Sequence, residues 1–515
     1  FHYNRFYETA EQIKTGNFSY FISLFGFQQS GRIVNAVYGP LFSYLQGMLV
    51  LLAGSWFRYQ VLSNFLVYLL AGCSLFKLLT YDKIRESTAF LTAIIFMTTY
   101  GINYWILNQG FTSWGTSLLP LCLIPLVDLK NHHFPIVKIA LSMAVMTQIH
   151  TLTAMMLGLI YFPFFIDYAR KQWGRALLEL GKTVGLYVCL SINVWISLFL
   201  INRGDQLKMP FTNPEMSEKA IDLGGAYWLH YPGNLRLLLI AGLLLNLVYW
   251  HKTRRFTKQL LIFSGIFFIF STSLIPWDWL VAHQVPLISL IQFPFRFFAP
   301  FTVLFLFCLA SLFQDLAGKR ILFGGLLLLS VISIGQSLQL LTHDLNQWDN
   351  QSLASKHTFV RVSEAAARKS FYSKDLGKAL KAVEKSSPDY LPIYHNDTKN
   401  KYVSYEKQIL DNQTNFSKTV KNDQLVLSWQ AKEAGRIQLP IVVYQNTKLS
   451  TKTREIKPLT LSNIGVPTIK QAAGRNTVRV RYTPPRYIAV VFALCGLSWF
   501  ATFLWCLYHF FTKTG

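Results

Sequence analysis

A chain of 515 residues that is 52% hydrophobic and only 14% charged cannot give its apolar surface a water-facing shell, which excludes an ordinary soluble enzyme. Its 41 Phe, 25 Tyr and 13 Trp point to a membrane protein, because amphipathic rings gather where lipid meets water. The formal charge of +24 invites a nucleic-acid partner, but the basic residues flank apolar runs or fall in one long polar segment, so none is expected.

The chain opens on Phe1 rather than Met, and a signal anchor or first span is expected upstream. In FHYNRFYETAEQIKTGNF (1–18), Phe1, Arg5, Glu8 and Gln12 recur at helical spacing, so His2, Arg5 and Glu8 share a broad face near the membrane surface. The bland alternative is a solvated amphipathic helix. The apolar stretch 38–54 is read as an interfacial or re-entrant helix, because counting it as a span spoils the alternation of loop charge. Runs near the ~20 residues that cross a bilayer core follow at 59–79, 88–104, 114–128, 134–149, 151–167, 178–201, 233–250, 259–275, 297–315, 320–338 and 486–511.

With these spans the loops 80–87, 130–133, 167–175, 251–258 and 317–320 and the terminal KTG, most of them basic, fall on one side, which the positive-inside tendency makes cytoplasmic. The outer side receives 1–38, the turn 105–113, the loop 202–232, the stretch 276–296 and everything from 339 to 485. That turn carries Asn108 and Gln109, amides suited to a hydroxyl-rich ligand, and Trp114 just beyond it is either a ligand contact or part of an aromatic belt. His150 sits where two short apolar runs meet, a costly position for an ionisable group unless it faces a cavity or partner. In IQFPFRFFAP (291–300), Arg296 and Gln292 stand among four phenylalanines at the outer start of a span. The arginine either snorkels to the headgroups or uses its forked guanidinium to hold a phosphate.

From 339 to 485 the composition turns polar, with roughly twice as many basic as acidic residues, which would attract an anionic surface polymer. Residues 362–386 read as helix, and 424–430, 436–444 and 476–483 as strands. All six cysteines lie in apolar runs, so no disulfide framework is expected. No P-loop, G-x-S-x-G, H-E-x-x-H or dinucleotide fingerprint occurs, and no carboxylate set is spaced for a metal. The expected architecture is a mainly α polytopic membrane protein with a mixed, mostly β extracytoplasmic domain. Its divisions are a multi-span domain over 1–338 with an outer amino-terminal loop 1–38, the β-rich domain over 339–485, and a final transmembrane helix with a short tail over 486–515.

The order of FHYNR, IKTGNF, YGPLF (38–42), LIPL (123–126), QIHTLTA, IQFPFRF and NTVRVRYTPP (476–485) resembles the YfhO-like bacterial membrane proteins and the related group labelled 6-pyruvoyl-tetrahydropterin synthase-related, over nearly the whole chain. The resemblance implies a GT-C-like helical bundle in a bacterial plasma membrane, of Gram-positive type. Such a protein is a glycosyltransferase that moves a sugar from a polyprenyl phosphate to an anionic cell-surface polymer at the outer face. It also implies an acidic general base in the first outer loop. The Asp expected just before the Phe-His pair would lie before Phe1, which leaves Glu8 and Glu11 as fallbacks, and the segment WGTSLL offers only Thr116 and Ser117 where a second acid is expected.

On this reading the catalytic candidates are Glu8, His150 and His2. Arg296 and Arg5 bind the phosphate, and Gln292, Trp114, Asn108 and Gln109 bind substrate. Topology places His2, Arg5, His150 and Arg296 on one side of the bilayer. No cofactor beyond the lipid-linked donor is identified. The alternatives are a lipid-linked-glycan transporter and a non-catalytic scaffold of envelope assembly.

Overall fold

The computed structural model describes residues 1–210, 213–221, 234–315, 320–348, 350–394, 400–413 and 415–514. Much of the expected outer loop 202–232, the first residue of the run 233–250 and most of the basic loop 317–320 lie outside the described residues. Among the described residues, eight helices are long and apolar enough to cross a membrane: Trp56–Tyr81, Glu86–Asn108, Thr112–Lys130, Thr151–Ala169, Trp173–Gly204, Pro294–Gln314, Leu322–Gln347 and Tyr487–His509. They are compatible with a multi-pass membrane protein. Of the other expected runs, 134–149 forms the 14-residue helix Ile136–Ile149, 259–275 the 17-residue helix Arg255–Ser271, and 233–250 the helix Asn234–Val248.

The chain divides into two compact units, residues 1–62, 191–211 and 352–515 in the first, and 63–190 and 212–351 in the second. This differs from the division expected from the sequence. The amino-terminal segment belongs with the β-rich segment and the last helix, because its apolar residues Phe21, Ile22, Leu24 and Ile33 sit in the same buried cluster as the strands.

In the first unit a five-stranded antiparallel sheet runs in the order Ser417–Lys421, Gln424–Ala431, Gly474–Tyr482, Thr447–Ser450, Glu455–Ile456. Alternation along Gln424–Ala431 turns Leu425, Leu427 and Trp429 inward, and the antiparallel register sets Leu425 opposite Val480 and Leu427 opposite Val478. Asn422 and Asp423, both left-handed, close the first hairpin in the turn whose twist suits paired strands. Of the expected strand 436–444 only Gly435–Gln438 pairs as a strand, in a second sheet with Pro467–Gln471 and Thr460–Leu461. The rest threads the core, donating Val442 N to Ser30 O at 2.8 Å and Val443 N to Gly465 O at 2.8 Å. The helix expected over 362–386 is two helices, Glu364–Ser370 and Leu376–Ala382. Asp375 breaks the run by capping the second, its carboxylate accepting from Gly377 N at 3.0 Å.

The amino-terminal helix His2–Thr15 packs on helix Pro40–Ala53. Gly47 permits the approach, since a Cβ there would stand 2.5 Å from Thr9 Oγ1. Helix Pro40–Ala53 leaves Leu41, Leu45, Met48 and Leu52 exposed on one stripe. In the second unit, helix Phe298–Asp315 is central, with nearly every residue from 298 to 310 buried. Gly101 brings the segment Tyr100–Asn108 against it and against Thr116: a Cβ on Gly101 would lie 3.1 Å from Thr116 Cγ2 and 3.7 Å from Ala299 Cβ.

Candidate functional site

The candidate residues fall into two groups, one in each unit. In the second unit the turn Pro294–Phe297 carries Arg296 just before the central helix. Its Nη1 donates to Ile291 O at 3.0 Å and to Gln292 Oε1 at 3.3 Å, and the guanidinium lies 4.9 Å from the Phe293 ring centroid. Gln292 has φ 59 and ψ −41, a conformation non-glycine residues rarely adopt, so the backbone is strained where its amide meets the arginine. Tyr100, Tyr104, Thr112, Thr116, Phe295, Phe298 and Ala299 line a narrow crevice with Arg296. Phe295 meets the Tyr100 and Tyr104 rings edge-on at 5.6 and 5.2 Å.

His150 lies within electrostatic reach of Arg296. It is the N-cap of helix Thr151–Ala169: Nδ1 is 2.8 Å from Thr153 Oγ1 and accepts from Thr153 N at 3.3 Å. A ring nitrogen that accepts a backbone N–H carries no proton, so in the neutral ring Nε2 is the donor. Nδ1 of His150 is thus engaged by Thr153 and is not placed to remove a proton. Thr116, one of the two hydroxyls where a second acid was expected, lines the crevice. Ser117 does not, and donates to Trp114 O at 2.9 Å.

Trp114 is not where a substrate contact is needed. It is 2% exposed and packs edge-on to Trp105 at 6.0 Å, inside the helix bundle, because its helix turns that face toward the core. Gln109 ends its helix in the left-handed conformation, and Asn108 is exposed beside it on the same turn.

The first unit holds His2, Arg5 and Glu8. They do not lie on a solvated amphipathic helix: Arg5, Glu8 and Gln12 are each 1% exposed. Arg5 Nε donates to Asn35 Oδ1 at 3.1 Å, Nη1 approaches His2 Nδ1 at 3.4 Å, and the guanidinium lies 4.4 Å from the Tyr38 ring centroid. Burial pulls the Arg5 pKa down to about 10, against Tyr38 and Tyr390, which raise it. It stays charged at neutral pH.

Glu8, the expected base, is a loop anchor. Oε1 accepts from Leu24 N at 2.8 Å and Gln12 Nε2 at 2.7 Å, and Oε2 accepts from Phe25 N and Gly26 N, both at 2.7 Å. These four bonds fill the lone-pair sites of a carboxylate and leave none for an acceptor hydroxyl. One turn earlier on the same helix, Asn4 Oδ1 accepts from Phe27 N at 2.7 Å, so two side chains hold four successive backbone N–H groups. Burial raises the Glu8 pKa, opposed by the hydrogen bonds from Leu24, Gly26, Gln12 and Phe25. Glu11, the other fallback, forms an i,i+3 ion pair with Lys14 at 3.1 Å.

Two groups here are not singled out by sequence. Arg32, 1% exposed, donates Nη1 to Ser387 O at 2.6 Å and Nη2 to Asp389 O. The Asp389 carboxyl is raised by burial, while Arg32 and Lys385 pull it down. A lone arginine and a lone aspartate more than 350 positions apart give no local signal. Among the described residues, no group of three His, Cys, Asp or Glu side chains is placed to hold a metal ion.

No protein-family model matches the chain, and no curated protein matches it.

Proposed function

We propose that this protein is a membrane glycosyltransferase, of the GT-C-like type, that moves a sugar from a polyprenyl-phosphate donor to a cell-surface polymer at the outer face of a bacterial plasma membrane. The observation that carries the reading is Arg296, half-buried in an aromatic crevice at the start of an apolar helix with His150 in reach of its charge. A lipid phosphate needs such a setting. As the bond from the sugar's anomeric carbon to the phosphate oxygen breaks, the phosphate takes the electron pair, and a fixed guanidinium in a poorly hydrated crevice stabilises that charge. His150 Nε2 donates to a phosphate or sugar oxygen, and the buried phenylalanines around Arg296 keep its surroundings poor in water. The acceptor hydroxyl forms the new bond to the anomeric carbon and gives up its proton to a base that is not Glu8. In this reading Arg5 and His2 shape the first unit rather than touch the phosphate.

The test is transfer by the purified full chain from a panel of polyprenyl-phosphate sugars to cell-surface polymer. Arg296→Ala should lower the rate by about 100-fold or more, the usual consequence of removing a group that stabilises developing charge. Arg296→Lys, which keeps the charge but loses the fork, should retain part of it. Full transfer by a folded Arg296→Ala protein would remove the phosphate role. A second reading, a non-catalytic scaffold of envelope assembly, is favoured by the engagement of Glu8 in four hydrogen bonds. It predicts no transfer from any donor, together with defective envelope assembly when the gene is deleted.

A further inference from the structure

The first unit contains an open cleft of about 330 Å³ that none of the preceding roles uses. Its volume lies at the lower end of the range of small-ligand sites, about 300–1,000 Å³. One wall is the loop held by Asn4 and Glu8, where Phe27, Gln28 and Gln29 have φ of 51, 56 and 51. Three successive non-glycine residues in the left-handed region cost roughly 1–2 kcal/mol each. Such backbone persists only where its surroundings over-determine it. They do so here from both sides. Asn4 and Glu8 hold the N–H groups of residues 24–27, and the Gln28 carbonyl accepts from Lys418 Nζ at 2.8 Å and Gln413 Nε2 at 3.4 Å. Gly26 makes the turn possible, since a Cβ there would lie 2.4 Å from Asn4 O.

The strained turn places two amides on the cleft, and Asn4 and Gln413 add two more. Each has one end tied into the fold. Asn4 Oδ1 takes Phe27 N, Gln28 Oε1 takes the Tyr405 hydroxyl at 3.1 Å, Gln29 Nε2 gives to Leu24 O at 3.0 Å, and Gln413 Nε2 gives to Gln28 O. The other ends comprise two donors, Asn4 Nδ2 and Gln28 Nε2, and two acceptors, Gln29 Oε1 and Gln413 Oε1. Amides fixed at one end cannot rotate to suit water, so they are preorganised for a partner that both gives and accepts hydrogen bonds.

Arg361, also lining the cleft, is clamped by two carboxylates, Nε to Glu384 at 2.8 Å and Nη2 to Asp411 at 2.9 Å. Lys381 is the second cation on the wall and Glu384 the one anion there, with Asp411 behind Arg361 completing its ion pairs. Tyr7 and Phe25 supply aromatic surface. Mixed donors and acceptors, a paired guanidinium and rings suit a ligand with many hydroxyls, apolar C–H faces and no net charge.

We propose that this cleft binds a neutral saccharide unit of the acceptor glycan. The choice of a saccharide over other polyhydroxylated molecules rests on the transferase reading above. The geometry of the cleft does not. An anionic polymer is disfavoured here because Glu384 and Asp411 neutralise the guanidinium that would otherwise grip it.

The experiment is binding of cellotetraose, chitotetraose and mannotetraose, with a glycerol-phosphate oligomer as the anionic probe, to the purified full chain in nanodiscs at low and high salt. At least one neutral tetrasaccharide should bind, with little dependence on salt. Gln28→Gly and Gln29→Gly should each weaken binding by about tenfold, the loss expected for one hydrogen bond to a constrained partner. Glycine accepts the left-handed backbone without strain but gives up the bonds to Tyr405 and Leu24, so each variant's melting curve is recorded beside its binding and the loss is read at a temperature where the variant is folded. Tyr7→Phe, which keeps the ring and removes one hydroxyl, is the second variant and should weaken binding in a folded protein. No binding of any neutral probe, binding untouched by all three variants, or salt-sensitive binding of the glycerol-phosphate oligomer alone would each overturn the proposal. The two readings separate cleanly. Saccharide binding without sugar transfer sinks the transferase and keeps the cleft, and transfer that survives loss of the cleft's binding does the reverse.

Discussion

Glu8 in the first unit and Arg296 in the second are both ionisable groups set among apolar neighbours, yet their surroundings differ in kind. Glu8 is 1% exposed, and its four acceptor sites are filled by backbone and amide N–H groups. Arg296 is half-buried, donates to the carbonyl and amide of its own turn, and lines a crevice. The contrast separates a buried carboxylate whose acceptor sites are all filled from a partly buried guanidinium at the edge of a crevice. A buried carboxylate that accepts from three successive backbone N–H groups of one loop, and is steadied by one side-chain amide, is a clamp on that loop. The Arg296 guanidinium instead donates to a carbonyl and a side-chain amide close to it in sequence and stands beside the Phe293 ring.

The largest effect should come from breaking the clamp. Glu8→Ala leaves Leu24, Phe25 and Gly26 N–H without an acceptor in a buried site. At about 1–3 kcal/mol for each unsatisfied group, it should destabilise the first unit by more than about 3 kcal/mol. Hydrogen exchange over residues 19–33 should accelerate, and a denaturation midpoint should fall sharply. Glu8→Gln, which keeps one acceptor oxygen, should cost less. Arg296→Ala removes donors from a partly buried side chain but strips no buried backbone N–H of its acceptor, so it should cost less stability than Glu8→Ala. If the two alanine variants were equally destabilised, the contrast between the two groups would collapse.

A smaller effect tests how the clamp is supported from behind. Gly47→Ala would set a Cβ 2.5 Å from Thr9 Oγ1 and 2.8 Å from Ala10 N. The hydroxyl can rotate away, but the backbone nitrogen cannot. Helix Pro40–Ala53 must then move off the helix that carries Asn4 and Glu8. Overpacking of this kind costs about 1–3 kcal/mol, and it should loosen residues 24–30 in hydrogen exchange while leaving the second unit unchanged. A melting curve that matches the parent would mean the two helices are less tightly coupled than their spacing implies.

The apolar runs were legible because a helix of about 20 residues crossing hydrocarbon must announce itself in composition. Alternation found Gln424–Ala431 and Gly474–Tyr482 for the same reason. Residues 439–444 misled, because a fully buried irregular segment and a central strand are both continuous apolar runs. Residues 362–386 misled because the cap at Asp375 interrupts a helical pattern that composition alone would continue. At the candidate site, Arg296 and His150 stood out as charges among apolar residues. The role of Glu8 did not, since spacing placed it on a helix face and only tertiary structure supplies the four donors. Trp114 shows the same limit, because an aromatic beside a polar turn reads alike whether its ring faces a ligand or the core. Arg32 with Asp389, and the cleft walls contributed by residues 28, 361 and 413, come from segments hundreds of residues apart.

The smallest expected effect probes the far side of the strained loop through its pH dependence. Burial holds the Lys418 ammonium down to about 7, against the Glu384 charge, which raises it. In the unfolded chain a lysine titrates near 10.4. Between these values the unfolded chain carries a proton that the folded protein lacks, so stability rises as pH increases from about 7 to about 10. Below about 7 both states are protonated and this contribution stops changing. Thermal melts of the parent and of Lys418→Met across that range should therefore diverge by a few degrees, the parent gaining on the variant as the solution becomes more alkaline. Lys418 Nζ donates to Gln28 O at 2.8 Å and Pro440 O at 2.9 Å, and the neutral amine keeps two N–H groups, enough for both bonds. The left-handed turn should thus stay held on both sides of the transition. Parallel melting curves would show that the ammonium stays charged in the folded protein, and that the Gln28 carbonyl is gripped by a full positive charge throughout.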